Sequence, residues 1–382
     1  THFSMSEDII IEPVNPTKSS LKRFVKFGID LYRNSPYFVP PLISDEVETL
    51  MPDKNPAFDD CQAQAFMAWR GKKPVGRIVA IINNVVNERT GKKEARFSFV
   101  DFIDDDAVVD ALFAAAEQWA RDRGMTEMVG PMGFTDMDHE GMLVEGFDQM
   151  GTMATIYNYD YYPRHLQRLG YKKDADWVEY RIKVPAEVPE KFRRISDIVA
   201  RKYGLRSVKF TSRQKIKRMY GQALFDLINE AYDSLYGYSP LNQRQIDYYI
   251  DKYLGIIRLD CVSVIVDSDD RLVALGISMP SMSQALRKSG GKMFPLGWYH
   301  LLNGIYGHND VVDLLLIAVK KEYLNRGVNA MLFADLIPIF NKEGFREAES
   351  NIELEDNNSV QQQWTYFDYR QHRRRRAYRK HL

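Results

Sequence analysis

The segment VKKEYLNRGVNAMLFADL, residues Val319–Leu336, joins the end of an apolar strand to a basic turn and the start of a helix. A helix N-terminus presents unpaired N–H groups and about half a positive charge, so it attracts phosphate. Gly327 permits positive φ and a close approach without a Cβ, and Lys320, Lys321 and Arg326 add positive charge. A single glycine on its own favours the simpler interpretation, a helix start with solvated cations.

The pattern around this segment predicts a mixed sheet with helices. VVDLLLIAV is a central strand, CVSVIVD and LVALGISM form a hairpin around Ser268–Arg271, a helix runs from about Gly327 to Glu343, and EAESNIEL is the next strand. The first half has the same kinds of element in the same order, including a strand at Arg96–Asp104 and an amphipathic helix at Asp105–Arg123.

An internal duplication accounts for this parallel. Residues 111–127 and 331–347 align at an offset of 331 − 111 = 220 with five identical pairs, where ordinary composition gives about one. The pairs are Leu112/Leu332, Phe113/Phe333, Ala114/Ala334, Gly124/Gly344 and Glu127/Glu347. The first copy places Asp104, Asp105 and Asp106 opposite Leu324, Asn325 and Arg326. Because carboxylates repel a pyrophosphate, only the second turn is expected to bind one.

Length and composition indicate two domains. A chain of 382 residues exceeds one ordinary core, and VPAEVPE (184–190) predicts a boundary that leaves domains at 1–185 and 190–382. The 52 basic and 52 acidic side chains argue against a protein that holds nucleic acid or an anionic membrane through its overall field.

Cysteine usage and hydropathy predict a cytoplasmic protein without disulfides. Cys61 and Cys261 are far apart, and no apolar run reaches the ~18–20 residues of a membrane helix. No membrane partner is therefore expected. The sequence leaves open whether the leading THFS is native.

The order of elements, with the pattern V-x-x-x-Y-x-x-R-G-V-x-A, resembles the GNAT acyltransferase superfamily in tandem. The first half resembles an uncharacterised bacterial family within it through LYRNSPYFVPPL, GPMGF, GMLVEGFD and YNYDYYPRHLQRLGY. The resemblance implies two α/β domains of the α+β type, each a mostly antiparallel central sheet flanked by helices, the first degenerate and the second an acyl-coenzyme A (acyl-CoA) site.

The resemblance also implies where acetyl-CoA or another acyl-CoA would bind. In such folds the central strand diverges from its neighbour and the pantetheine arm lies in the gap, where a backbone N–H polarises the thioester carbonyl. The family's loop is usually Q/R-x-x-G-x-G/A, and LNRGVN (324–329) keeps one glycine, with Arg326 as the cation. The implied contacts are Ile317, Ala318 and Val319 in the strand, and Arg326, Gly327, Val328, Asn329 and Ala330 at the turn.

Catalysis needs a base for the amine and a proton for the departing thiolate. By resemblance Tyr366 supplies the proton, with Tyr369 second. Glu353 and Glu355 in NIELED are the candidate bases. Helix packing explains both tyrosines equally well, and a solvated strand end explains both glutamates. Seven scattered histidines and two distant cysteines offer no metal-ligand spacing, so no metal is expected.

The predicted function is acyl-CoA-dependent N-acyl transfer to a small-molecule or peptide amine. One alternative resembles the Fem-type aminoacyltransferases, which use aminoacyl-tRNA and would give the terminal RQHRRRRAYRKHL a role. Another is a GNAT-fold binding protein that has lost catalysis. Outside the Fem-type alternative no nucleic-acid partner is expected, and the resemblance makes the terminal segment an edge strand. The acyl group, acceptor and oligomeric state are left open.

Overall fold

The computed structural model describes residues 8–382, which divide into two compact units. Unit 1 contains residues 8–177, 286–297 and 373–382, and unit 2 contains residues 178–285 and 298–372. The two units do not coincide with the predicted domains 1–185 and 190–382, because two short segments from late in the chain belong to unit 1. The boundary between two duplicated halves of the sequence stays a prediction. The leading THFS lies outside the described residues.

The elements up to residue 183 alternate helices and strands. They are β1 Ile9–Val14, α1 Lys18–Asp30, α2 Ile43–Thr49, β2 Cys61–Arg70, β3 Lys73–Asn83, α3 Asn84–Thr90, β4 Glu94–Phe102, α4 Asp106–Asp122, β5 Glu127–Gly130, β6 Met142–Glu145, α5 Tyr161–Arg168 and β7 Lys172–Lys183. In unit 1 the strand order is β1-β2-β3-β4-β5, antiparallel except for the parallel pair β4–β5. Helix α4 packs on β2 and β3 through its apolar face.

The second half repeats this order. Its elements are α6 Glu190–Tyr203, β8 Arg206–Val208, α7 Arg213–Tyr232, α8 Gln243–Leu254, β9 Val262–Val266, β10 Leu272–Pro280, α9 Ser283–Ser289, α10 Gly297–Tyr306, β11 Val311–Val319, α11 Val328–Glu343, β12 Glu347–Glu349, β13 Glu353–Leu354, α12 Asn358–Gln363 and β14 Tyr369–His381. In unit 2 the order is β8-β9-β10-β11-β12, again with only the last pair parallel. Helix α11 packs on α6, β9 and β10. The predicted hairpin, central strand and helix are confirmed.

The terminal strand corrects one prediction. Residues 378–381 of β14 pair with β5, and residues 374–376 pair with β6, so β14 is not a free edge strand. Arg373 and Arg375 are 1% and 0% exposed, and Arg374 and Arg376 bind Asp176. Burial by itself would raise the pKa of Asp176, but hydrogen bonds from Arg376 and Arg374 lower it. The edge-strand prediction was wrong because the carboxylates that neutralise these arginines come from distant parts of the sequence.

The same pairing removes the terminal arginines as an exposed basic arm. Arg379 binds Glu94, Glu127 and Asp174, and Lys380 binds Glu117. These cations are therefore engaged within unit 1. Separately, no helix within residues 8–382 is both long and apolar enough to cross a membrane.

Candidate active site

The central feature of unit 2 is an opening beside β11. Strands β11 and β12 pair in parallel over three residues, Val311–Asp313 with Glu347–Glu349, and β12 then ends. Strand β11 continues to Val319, paired on its other side with β10. A register shift lies opposite Ile277 and Ser278 and leaves Leu315 as the extra residue of β11. The second half of β11 therefore has an edge that β12 does not cover.

The direction of the backbone groups along this edge follows from the register. Successive residues of an antiparallel strand point their N–H and C=O groups alternately to either side. Lys320 donates its N–H to the carbonyl of Val273 in β10, so the backbone N–H and C=O groups of Ala318, two residues earlier, also point towards β10. The backbone N–H and C=O groups of Ile317 and Val319 therefore point towards the open edge. Two of the proposed strand residues are thus placed to donate an N–H there, whereas Ala318 is not.

Side chains from two other elements reach the carbonyls of this edge. The Tyr232 hydroxyl, at the end of α7, donates to the carbonyl of Ile317 at 2.5 Å, and the Asn351 amide donates to that of Leu315 at 2.7 Å. Sequence reasoning missed both residues. The tyrosine-rich stretch beginning at Ala231 was the available signal for the first, whereas nothing in the sequence distinguished Asn351.

Glu353 occupies a half-buried position close to Tyr232. Its two carboxylate oxygens accept hydrogen bonds from Trp364 Nε1 at 3.0 and 3.2 Å. Burial raises the pKa of Glu353 to about 8, against the opposing effect of the Trp364 hydrogen bond. Burial also raises the pKa of Tyr232, and the charge of Glu353 adds to that rise while the bond to Ile317 opposes it. A carboxyl group that titrates near neutral pH can take a proton from an amine.

Tyr366 is placed differently from Glu353. It is 47% exposed at the end of a 3₁₀ turn, Trp364–Tyr366, and its hydroxyl accepts a hydrogen bond from Lys191 Nζ at 2.5 Å. The ring lies edge-on to Phe192. No hydrogen bond within the described residues joins Tyr366 to Glu353 or to β11. Tyr369, the second candidate, packs edge-on against Tyr180.

The turn between β11 and α11 begins its helix without a side-chain cap. Asn325 and Gly327 have φ of 60° and 82°, and Gly327 is the N-cap of α11. The corresponding turn of unit 1 is capped by Asp105, whose carboxylate accepts from the N–H groups of Ala107 and Val108 and also binds Arg70. The first helix thus satisfies its own terminal donors, whereas the start of α11 leaves donors for another acceptor.

The cations at this turn are not equivalent. Lys321 binds Asp233 at 2.7 Å, and Lys320 lies 3.4 Å from Glu322. Arg326 is exposed, its guanidinium lies 5.4 Å from the ring centroid of Tyr203, and among residues 8–382 it has no carboxylate partner. Arg326 is therefore the cation of the turn that is available to an anion.

The remaining turn residues pack on their surroundings. Val328 and Ala330 are buried, and the Asn329 amide donates to Gln363 Oε1 at 3.4 Å. A Cβ on Gly327 would lie 2.8 Å from Ile195 Cγ2 and 3.1 Å from Val199 Cγ2. Together with its positive φ, this contact means that a side chain at position 327 would strain the fold.

No protein-family model matches the chain. Two curated proteins resemble it over most of their length. Protein YghO of Escherichia coli K12 is 29% identical over 286 residues, covering 75% of this chain and 72% of the relative. The bacterial ceramide synthase of Caulobacter vibrioides is 30% identical over 304 residues, covering 78% of this chain and 77% of the relative.

Solved structures show the fold. A tandem GNAT protein from the clavulanic acid biosynthesis pathway superposes with a TM-score of 0.58 at 12% identity, covering 98% of both chains. A GCN5-related N-acetyltransferase from Sphaerobacter thermophilus gives 0.51 at 11% identity, covering 98% of this chain and 95% of the other. The chain therefore has the tandem GNAT fold, and the predicted fold class is confirmed.

The packing at Gly327 is testable against the glycine at the other end of the same helix. We expect Gly327→Ala to lower the free energy of unfolding in urea by about 1–3 kcal/mol more than Gly344→Ala does. Both positions have nearly equal positive φ, 82° and 79°, but a Cβ at Gly344 would approach no atom closer than 3.7 Å. Equal losses in the two variants would show that α6 does not constrain the turn.

Proposed function

This chain belongs to the same protein family as the bacterial ceramide synthase of Caulobacter vibrioides, and on that premise we propose that it is an acyl-CoA-dependent N-acyltransferase. Ceramide is an amide between a fatty acyl group and the amino group of a long-chain amino alcohol. The relative's name therefore supports a long-chain amine as the acceptor here. The tandem GNAT fold supports direct transfer from the thioester to the amine.

The observation that carries the proposal is the contrast between the two helix starts. Asp105 caps α4 with its own carboxylate, whereas Gly327 begins α11 with no side-chain cap and with Arg326 beside it. An uncapped helix N-terminus with a neighbouring arginine suits a pyrophosphate, because its N–H groups and the cation both favour negative charge. Acyl-CoA would thus be held by unit 2, with Val328 and Asn329 contributing their backbone N–H groups.

Each step of the transfer has a candidate residue in unit 2. Acyl-CoA supplies the acyl group as a thioester. The N–H groups of Ile317 and Val319 face the uncovered edge of β11, where one of them would polarise the acyl carbonyl as an oxyanion-type donor. Glu353 would take the proton that the amine loses as it forms the amide bond. Tyr366 would return a proton to the departing thiolate, which leaves as the free thiol.

The Fem-type alternative loses its main support. It gave the terminal arginines a role in binding tRNA, yet Arg373 and Arg375 are buried, and Arg374, Arg376 and Arg379 bind carboxylates of unit 1. The remaining alternative, a binding protein without catalysis, shares the coenzyme A site and differs only in turnover.

Coenzyme A affinity tests the site directly. We expect calorimetry to detect binding of coenzyme A to the wild type and Arg326→Glu to weaken it at least several-fold, because repulsion between close charges at a protein surface costs roughly 1–4 kcal/mol. Arg346→Glu is the matched control, because the Arg346 side chain is 83% exposed and the residue lies just after the C-terminal end of α11, away from the turn. No measurable affinity in the wild type, or equal weakening by both variants, would remove the turn as the binding site.

The role of Glu353 predicts a pH profile. A base must be deprotonated, so kcat/KM for palmitoyl-CoA with a long-chain 2-amino alcohol should rise with pH through about 8, and Glu353→Gln should abolish this limb and lower the rate about a hundredfold or more. Release of the free thiol measures the rate. An unchanged limb in Glu353→Gln would exclude Glu353 as the base.

A stability measurement separates the pKa of Glu353 from its catalytic role. The pKa of Glu353 is raised from 4.5 to about 8 in the folded chain. Its protonated form therefore stabilises the fold, and this contribution is fully present at pH values below 4.5, the pKa in the unfolded chain. That contribution is lost as pH rises towards the folded value. The free energy of unfolding of the wild type should therefore fall, relative to that of Glu353→Gln, as pH rises from 4.5 to about 8.

A further inference from the structure

The segment MFPLGWYHLLNGIY, residues 293–306, exposes an unusual run of large apolar side chains. Seven of the fourteen large hydrophobic residues that are exposed in the described chain fall in this segment. They are Met293 38%, Phe294 76%, Leu296 61%, Trp298 44%, Tyr299 55%, Leu302 49% and Tyr306 62% exposed. Isolated exposed hydrophobic residues are normal, but a consecutive run of this size indicates an interaction surface.

Helix α10 accounts for the orientation of the second part of the run. Gly304 lies against α9, where a Cβ would approach Ala285 Cβ at 2.8 Å and Met282 Sδ at 3.3 Å, and Leu301 is buried. Trp298, Leu302 and Tyr306 follow one another at intervals of four residues on the opposite face. The inner face of α10 is therefore fixed by packing, and its outer face is apolar and aromatic.

The charges around this segment all have one sign. No aspartate or glutamate occurs from Ser281 to Asn309, whereas Arg287, Lys288 and Lys292 precede the apolar run. Arg287 donates to the carbonyls of Phe38 and Ser35, which leaves Lys288 and Lys292 as exposed cations without a carboxylate partner in residues 8–382. A partner that covers this surface should therefore be negatively charged as well as apolar.

We propose that residues 288–306 dock on the surface of an anionic phospholipid bilayer. Tryptophan and tyrosine prefer the interface between headgroups and acyl chains, leucine and phenylalanine bury in the outer acyl region, and lysines are attracted to anionic headgroups. A bilayer supplies the apolar layer and the negative charge together, which favours it over a second copy of a chain whose formal net charge is zero.

This binding would be peripheral. The expectation of no membrane partner rested on the lack of a spanning segment and on the balanced charge of the whole chain, and neither describes the local charge of this surface. The proposal goes beyond acyl transfer and does not depend on it, because it rests on exposure and charge in a segment that includes none of the proposed catalytic residues. If the acceptor is a long-chain amine, the same surface places the enzyme where such a molecule resides.

Co-sedimentation of the full chain with vesicles tests the proposal. We expect binding to vesicles of phosphatidylcholine with phosphatidylglycerol, weaker binding to phosphatidylcholine alone, and a decrease as salt rises. The triple variant Trp298→Ser, Leu302→Ser and Tyr306→Ser should lower the partition coefficient about tenfold or more. Ile256→Ser is the matched control, because Ile256 is likewise 44% exposed but lies outside the segment, and it should bind as the wild type does.

A second variant tests the electrostatic part with changes only at exposed lysines. Lys288→Glu with Lys292→Glu should abolish the preference for phosphatidylglycerol vesicles. Wild-type affinity in either multiple variant, or a wild type that does not sediment with vesicles, would overturn the proposal. A dimer in sedimentation equilibrium that the triple variant dissociates, without vesicle binding, would identify a second copy as the occupant.

Discussion

The short pairing of β12 with β11 is the constraint on which the candidate site depends. Three residue pairs hold the two strands together, and beyond Asp313 the edge of β11 is open. The alternation of an antiparallel strand then turns the N–H groups of Ile317 and Val319 to that edge. Tyr232 and Asn351 bond to carbonyls of the same edge and do not use those two donors. A longer β12 would remove the donors and the gap together.

The two copies differ where their helices begin. In unit 1 a carboxylate satisfies the first N–H groups of α4, and the hydroxyl groups of Tyr161 and Tyr162 bond to the backbone of Phe102 at the end of β4. In unit 2 a glycine in left-handed geometry begins α11, with Arg326 beside it. At this helix start unit 1 thus satisfies its donors with its own carboxylate, whereas unit 2 retains donors for an anion. This asymmetry supports a single acyl-CoA site.

Local patterns predicted the parts of the fold that local interactions determine. The bounds of β11 were predicted from the run VVDLLLIAV, apolar except for Asp313, between Asp310 and Lys320, and the turn from its glycine. The terminal strand was not predicted correctly, because a run of arginines is typical of a solvated segment until distant carboxylates such as Asp176 neutralise it. Similarly, nothing local to Glu353 indicates a raised pKa, since the burial that causes it arises from tertiary packing.

The measurement that tests the central claim most directly is hydrogen–deuterium exchange with and without coenzyme A. The account predicts slower exchange at the start of α11, at Val328 and Asn329, and along the open edge of β11 at Ile317 and Val319, with no change at the start of α4. A ligand that binds through backbone N–H groups must protect those groups. Protection at the start of α4, or none at α11 under saturating coenzyme A, would contradict the account.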